Sequence, residues 1–139
     1  MPRLWRLDVD WNDALPKVEH REFQQFLIAL SSINKINVKR WILIGQTTAI
    51  EVYSFSDGFE SCFGVVVYCK STNSTGETVV RLITSKSRVA SVKSLTIPHL
   101  ELADAVLLSK VVRKVLKATK LPVTQIYLLT DSMIVLRWI

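Results

Sequence analysis

The chain of 139 residues is poor in residues that cross-link or punctuate, with two cysteines, four glycines, four prolines and two histidines. Two cysteines exclude the disulfide scaffold on which small secreted domains rely. Both lie in the run Cys62-Phe63-Gly64-Val65-Val66-Val67-Tyr68-Cys69. Read as a strand, that run sets them ~23 Å apart on opposite faces, so they cannot bond to each other. Small reduced thiols are the expectation, and the absence of Cys-x-x-Cys spacing argues against zinc. No apolar stretch approaches the ~18 residues of a membrane helix. The start carries Arg3, Arg6, Asp8 and Asp10 without an apolar run, unlike a signal peptide. With 49% hydrophobic residues and a net charge of only +6, a disordered chain is excluded. One intracellular globular domain with no membrane segment is expected, large enough to bury a core.

The positive charge is uneven. Lys86, Arg88 and Lys93 share one loop-like stretch with no acid between them, and Lys110, Arg113, Lys114, Lys117 and Lys120 form a second acid-free group. Such clusters fit contact with a polyanion, nucleic acid first among them. A solvated helix face accounts for them equally well on composition alone.

Two segments differ in pattern. In residues 1–41 a polar turn, Asp10-Trp11-Asn12-Asp13-Ala14-Leu15-Pro16, precedes Phe23, Phe26, Leu27, Leu30 and Ile33 at helical spacing. This reads as a tether and one amphipathic helix. From residue 42 to 139 the period changes. Glu51 to Asp57 alternates and reads as a strand; Phe63 to Lys70 is almost continuously apolar and reads as a central strand covered on both faces. Ser71 to Gly76 is a loop by composition, and Thr78 to Ser85 is a third strand, completing an antiparallel meander. Ile97-Pro98 opens a long helix with a buried stripe of Leu100, Ala103, Val106, Leu107, Val111, Val115 and Leu116, stopped at Leu121-Pro122. Gln125 to Asp131 is a fourth strand, which a right-handed crossover sets parallel beside the first. Ser132 is placed to cap the next segment, and the apolar ending Met133 to Ile139 reads as a helix cut short. An α/β fold is therefore expected, incomplete at its C-terminus.

That topology brings carboxylates together. Asp57 ends the first strand, Asp131 ends the neighbouring fourth, and Glu101 in the first helical turn can reach the same corner. Three clustered carboxylates repel unless a divalent cation joins them, which suits two-metal phosphoryl chemistry. Each also has a plain structural role open to it: turn residue, helix cap, or partner of the helix macrodipole. Asp104 is set aside as a near-duplicate on almost the same face, and His99, His20 and the four Trp are read as structural or surface residues.

Five ordered segments carry a family likeness: Phe55-Ser56-Asp57-Gly58, Phe63 to Tyr68, Ser85 to Ala90, Thr96-Ile97-Pro98-His99-Leu100-Glu101-Leu102, and Thr130 to Ile139. Together they resemble the ribonuclease-H-like region of the BEL/Pao-type LTR retrotransposon polyprotein, also called the Pao retrotransposon peptidase family. Leu7 to Asp13 with Leu15-Pro16 resembles the segment joining the reverse transcriptase to that region. The resemblance implies a ribonuclease-H-like fold, with Asp57, Glu101 and Asp131 as catalytic and metal-binding acids for Mg²⁺ (or Mn²⁺). It implies cleavage of RNA in an RNA–DNA hybrid during reverse transcription, in a cytoplasmic retrotransposon particle and beside the reverse transcriptase domain of the same polyprotein. Lys86, Arg88 and Lys93 become candidates for phosphate contact. The chain departs from the family pattern at Gly58-Phe59, at His99 and at Leu129, and ends before the family's fourth acid. A catalytically dead nucleic-acid-binding or polymerase-docking module is one alternative. An aspartic peptidase is another, although neither Ser56-Asp57-Gly58 nor Thr130-Asp131-Ser132 is the Asp-Thr/Ser-Gly turn which that chemistry uses.

Overall fold

The computed structural model describes residues 10, 12–59, 62–90 and 96–139. The chain divides into two compact units, Met1–Val38 and Lys39–Ile139. In the first, α1 spans Lys17–Leu30 and runs on into a 3-10 turn at Ser31–Lys35. Pro16 stands before it with fixed φ, which suits a helix entry, and its carbonyl accepts from His20 N at 2.9 Å. No residue of α1 is buried.

The second unit has the order β1 (Thr47–Phe59), β2 (Cys62–Asn73), β3 (Thr78–Val89), α2 (Ile97–Thr119), β4 (Gln125–Thr130) and α3 (Met133–Trp138). The strands form one sheet in the order β3-β2-β1-β4, antiparallel except for the parallel β1–β4 pair. This is the expected meander with a helical crossover. β1, β2 and β3 outrun their expected limits, so Asp57 lies within β1 rather than at its end, and Lys86 and Arg88 belong to β3 rather than to a loop; β4 stops at Thr130, one residue short of Asp131. Likewise β2 continues to Asn73 before the turn at Ser74-Thr75. The Asn73 side chain organises that turn, its Oδ1 accepting from Thr75 N and Glu77 N.

Burial alternates along β2: Val65, Val67, Cys69 and Ser71 are buried, and their neighbours are not. The expectation of a strand covered on both faces is corrected accordingly. Among the described elements only α2 makes an extensive packing layer on the sheet, and one helix layer covers one face. Cys62 is exposed and Cys69 buried, both free.

The core joins Val52, Val65 and Val67 of the sheet to Leu107, Leu108, Val112 and Val115 of α2. The buried stripe of α2 is thus rotated from the expected one. It runs through Leu100, Asp104, Leu107, Leu108, Val112 and Val115, while Val106 is 43% exposed. Lys120, left-handed at φ 51°, ends the helix and donates its N–H to Leu116 O. Thr124 then donates twice to Ile50 O, at 2.8 Å from its backbone and 2.7 Å from its hydroxyl, locking the start of β4 against β1. No helix among the described residues is long and apolar enough to cross a membrane.

The phase of α2 is testable by denaturant unfolding. Leu108→Ala is expected to cost about 3 kcal/mol, and Val106→Ala less than about 0.5 kcal/mol. A larger loss for Val106→Ala than for Leu108→Ala would place the stripe where the sequence pattern alone put it.

Candidate active site

β1 and β4 run in parallel register from Glu51 opposite Gln125 to Ser56 opposite Thr130. Asp57 and Asp131 follow directly after that last pair, Asp57 still within β1 and Asp131 just past the end of β4. Ser54 Oγ donates to Tyr127 O at 2.7 Å and strengthens this pairing. Both aspartates are exposed. Ser54 and Ser56 are buried on the face that α2 covers, so Asp57 belongs to the opposite face.

Glu101 is the fifth residue of α2, because the helix already starts at Ile97 with Pro98 in its opening positions. The expected place in the first turn is corrected, and with it the macrodipole role. The Ser132 hydroxyl donates to Glu101 Oε2 at 2.7 Å and accepts from Val135 N at 3.1 Å. One side chain thereby caps α3, as the sequence suggested, and fixes a carboxylate beside Asp131. Its bond to Glu101 had no signal in the sequence.

Asp104, read from sequence as a mere near-duplicate of Glu101, is the most deeply placed acid of the corner. It is 2% exposed, and its Oδ1 has no hydrogen-bond partner among the described residues. A Cβ at Gly58 would stand 2.8 Å from Asp104 Oδ2 and 3.5 Å from Glu101 N, so the glycine is what lets β1 approach α2 here. The Asp104 carboxyl is pushed up to about 6, chiefly by burial, and the charges of Asp57, Asp131 and Glu101 add to this. The Ser56 hydroxyl, near but outside hydrogen-bonding geometry, opposes part of the rise. Asp104 therefore feels all three expected acids at once. The signal for its burial was present: it falls four residues after Leu100 and four before Leu108.

Lys86 and Arg88 are exposed on β3, opposite Val65 and Phe63 of β2. Lys86 and Asp57 line one cavity of about 390 Å³ with Phe55, Phe59 and Phe63. Lys93 lies outside the described residues. His99 is exposed, as expected.

The acids offer hard oxygen donors, and the buried Asp104 oxygen without a partner among the described residues marks uncompensated negative charge, so the donor chemistry fits a divalent cation. Among the described residues, however, no three His, Cys, Asp or Glu side chains stand at metal-holding spacing. A family model for the Pao retrotransposon-like RNaseH-like domain matches residues 1–132. The chain belongs to this family. No curated protein matches it. In this Pao domain the four-stranded mixed sheet is the RNaseH-like α/β frame, and Asp57 and Asp131 follow the last paired row of its β1 and β4.

Two outcomes are expected here. Gly58→Ala destabilises by about 1–2 kcal/mol through overpacking, and most of the loss disappears in an Asp104→Ala background, measured as a double-mutant cycle. Independent, additive losses would contradict the contact. The second concerns pH. Asp104 is raised above its unfolded value of 3.8 to about 6, so the folded state holds more protons between those values and stability falls as pH rises across them. Asp104→Asn removes this loss. Its melting temperature should exceed the parent's above pH 6 and converge with it below about pH 4; a constant offset would contradict the assignment.

Proposed function

We propose that this Pao-family domain is a ribonuclease-H-type endonuclease, cutting the RNA strand of an RNA–DNA hybrid during reverse transcription with Mg²⁺ or Mn²⁺. The observation that supports this reading is the parallel register that ends at Ser56 opposite Thr130, one residue before Asp57 and Asp131, together with the Ser132 bond that ties Glu101 to the start of α3. These three acids would hold the cation. Bound there, a pair of divalent ions would activate a water and stabilise the leaving oxygen of the cut strand.

The chain's own residues set the stage for that chemistry. Ser132 keeps Glu101 in one orientation. Gly58 leaves room for Asp104 beneath the corner, adding negative potential that favours cation binding. Lys86, sharing the cavity with Asp57, would meet a phosphate of the duplex, and Arg88 and Lys93 would serve the same strand. Residues 1–41 would connect this domain to the reverse transcriptase of the polyprotein, within a cytoplasmic particle.

A second reading is a binding module without catalysis, favoured by the lack of three carboxylates at coordination spacing among the described residues. Cleavage of a labelled RNA–DNA hybrid with Mg²⁺ or Mn²⁺ decides between them. The ribonuclease reading expects cutting by the parent chain and background levels for Asp57→Asn. Salt-sensitive hybrid binding with no cutting in either would establish the binding module. Millimolar Mg²⁺ is also expected to raise the parent's melting temperature, by the equivalent of about 2.7 kcal/mol at a hundredfold excess over Kd. Asp57→Asn should lose most of that rise.

A further inference from the structure

Asp104 stands in a stripe that is otherwise apolar, with Leu100, Leu107, Leu108, Val112 and Val115 as the other buried residues of α2. It is 2% exposed, and its Oδ1 is buried without a hydrogen-bond partner among the described residues. Ser56 Oγ, on the facing strand, is buried and without a partner there as well. The salt bridge found among the described residues joins Lys70 to Glu51, so no cationic side chain among them neutralises Asp104. A carboxylate so placed is costly unless a cation or a set of donors meets it. A smaller apolar residue would fit the stripe without that cost.

Two further observations aim this carboxylate into the acidic corner. Asp104 Oδ2 lies 2.8 Å from where a Cβ at position 58 would stand, so it reaches the backbone immediately after Asp57. The charges of Asp57, Asp131 and Glu101 all push its carboxyl up, so the three acids lie within its electrostatic reach. Glu101 is three residues before it on α2, which sets the two carboxylates at neighbouring positions of one helix face.

We propose that Asp104 is a further cation-holding carboxylate, sharing with Glu101 the α2 side of the divalent ion that Asp57 and Asp131 would hold. The inference rests on the metal-dependent reading above and extends it to a buried residue which that reading used only as a background charge. It gives Oδ1 a partner. It also gives the glycine at position 58 a task, since a side chain there would push the carboxylate out of the corner. Hard oxygen donors of this kind suit Mg²⁺ and Mn²⁺. Among the described residues no three acids stand at metal-holding spacing. Repulsion between like charges favours such separation until a cation joins them.

The test uses the full chain with isotope-labelled Asp and Glu, reading the side-chain carboxyl carbons by NMR at neutral pH without nucleic acid. Broadening by substoichiometric Mn²⁺ falls steeply with distance and therefore separates a ligand from a remote charge. The Asp104 carboxyl carbon should broaden together with those of Asp57, Glu101 and Asp131. Asp104→Asn, which keeps the side-chain shape, should weaken Mn²⁺ binding by at least about tenfold. Its melting temperature without metal should not fall, so the lost affinity is not a lost fold. A sharp Asp104 signal beside three broadened acids, or unchanged Mn²⁺ affinity in Asp104→Asn, would overturn the inference and leave the three-acid site standing. Broadening of Asp104 and Glu101 with Asp57 and Asp131 sharp would support Asp104 as a ligand and remove the two sheet-end acids from the ion. Broadening at none of the four would overturn both readings.

Discussion

The parallel pairing of β1 with β4 is the constraint on which the rest of the second unit depends. Two adjacent strands running the same way must end at the same side of the sheet, so the residues next after a paired row become neighbours without any contact of their own. The row is Ser56 opposite Thr130, and the next residues are Asp57 and Asp131. The pairing in turn requires a crossover, which α2 supplies across one face through Leu107, Leu108, Val112 and Val115. The same helix delivers Glu101 and Asp104 to the corner. Core packing and site assembly are consequences of one connection.

Assembling acids in this way carries an electrostatic cost. Asp104 is buried and feels the charges of Asp57, Asp131 and Glu101, and no cationic side chain among the described residues compensates it. Polar side chains carry part of the load: Ser132 donates to Glu101, and the Ser56 hydroxyl lowers the Asp104 value somewhat. Protons at low pH, or a cation at neutral pH, are the remaining ways to neutralise such a site. The far flank of α2 has the opposite character, basic and, among the described residues, without acid. The domain is thus polarised across a single helix.

Much of this was legible in the sequence because it depends on order and period. Alternation found the strands, three- and four-residue spacing found α2, and the direction of a crossover placed β4 beside β1. The family likeness was legible in five short segments and agrees with the match over residues 1–132. What escaped depends on exact helical phase and on close approach. Ala103 and Val106 were expected inside, whereas Asp104 and Leu108 occupy the buried stripe, because a shift of one residue turns a helix by about 100°. The closeness of Gly58 to Asp104 arises from residues 46 positions apart and has no local pattern. The double role of Ser132 was half visible: its cap is local in sequence, and its bond to Glu101 is not.

The central claim is that three separate elements, the last stretch of β1 at Asp57, the second turn of α2 and the β4–α3 junction, present carboxylates to one cation. Paramagnetic broadening of backbone amide signals by substoichiometric Mn²⁺ tests it most directly. The amides of Gly58, Glu101 and Ser132 are predicted to broaden first and together, while those of Val112 and Lys120 stay sharp. Broadening confined to one of the three elements, or spread evenly over the exposed acids of the chain, would contradict it.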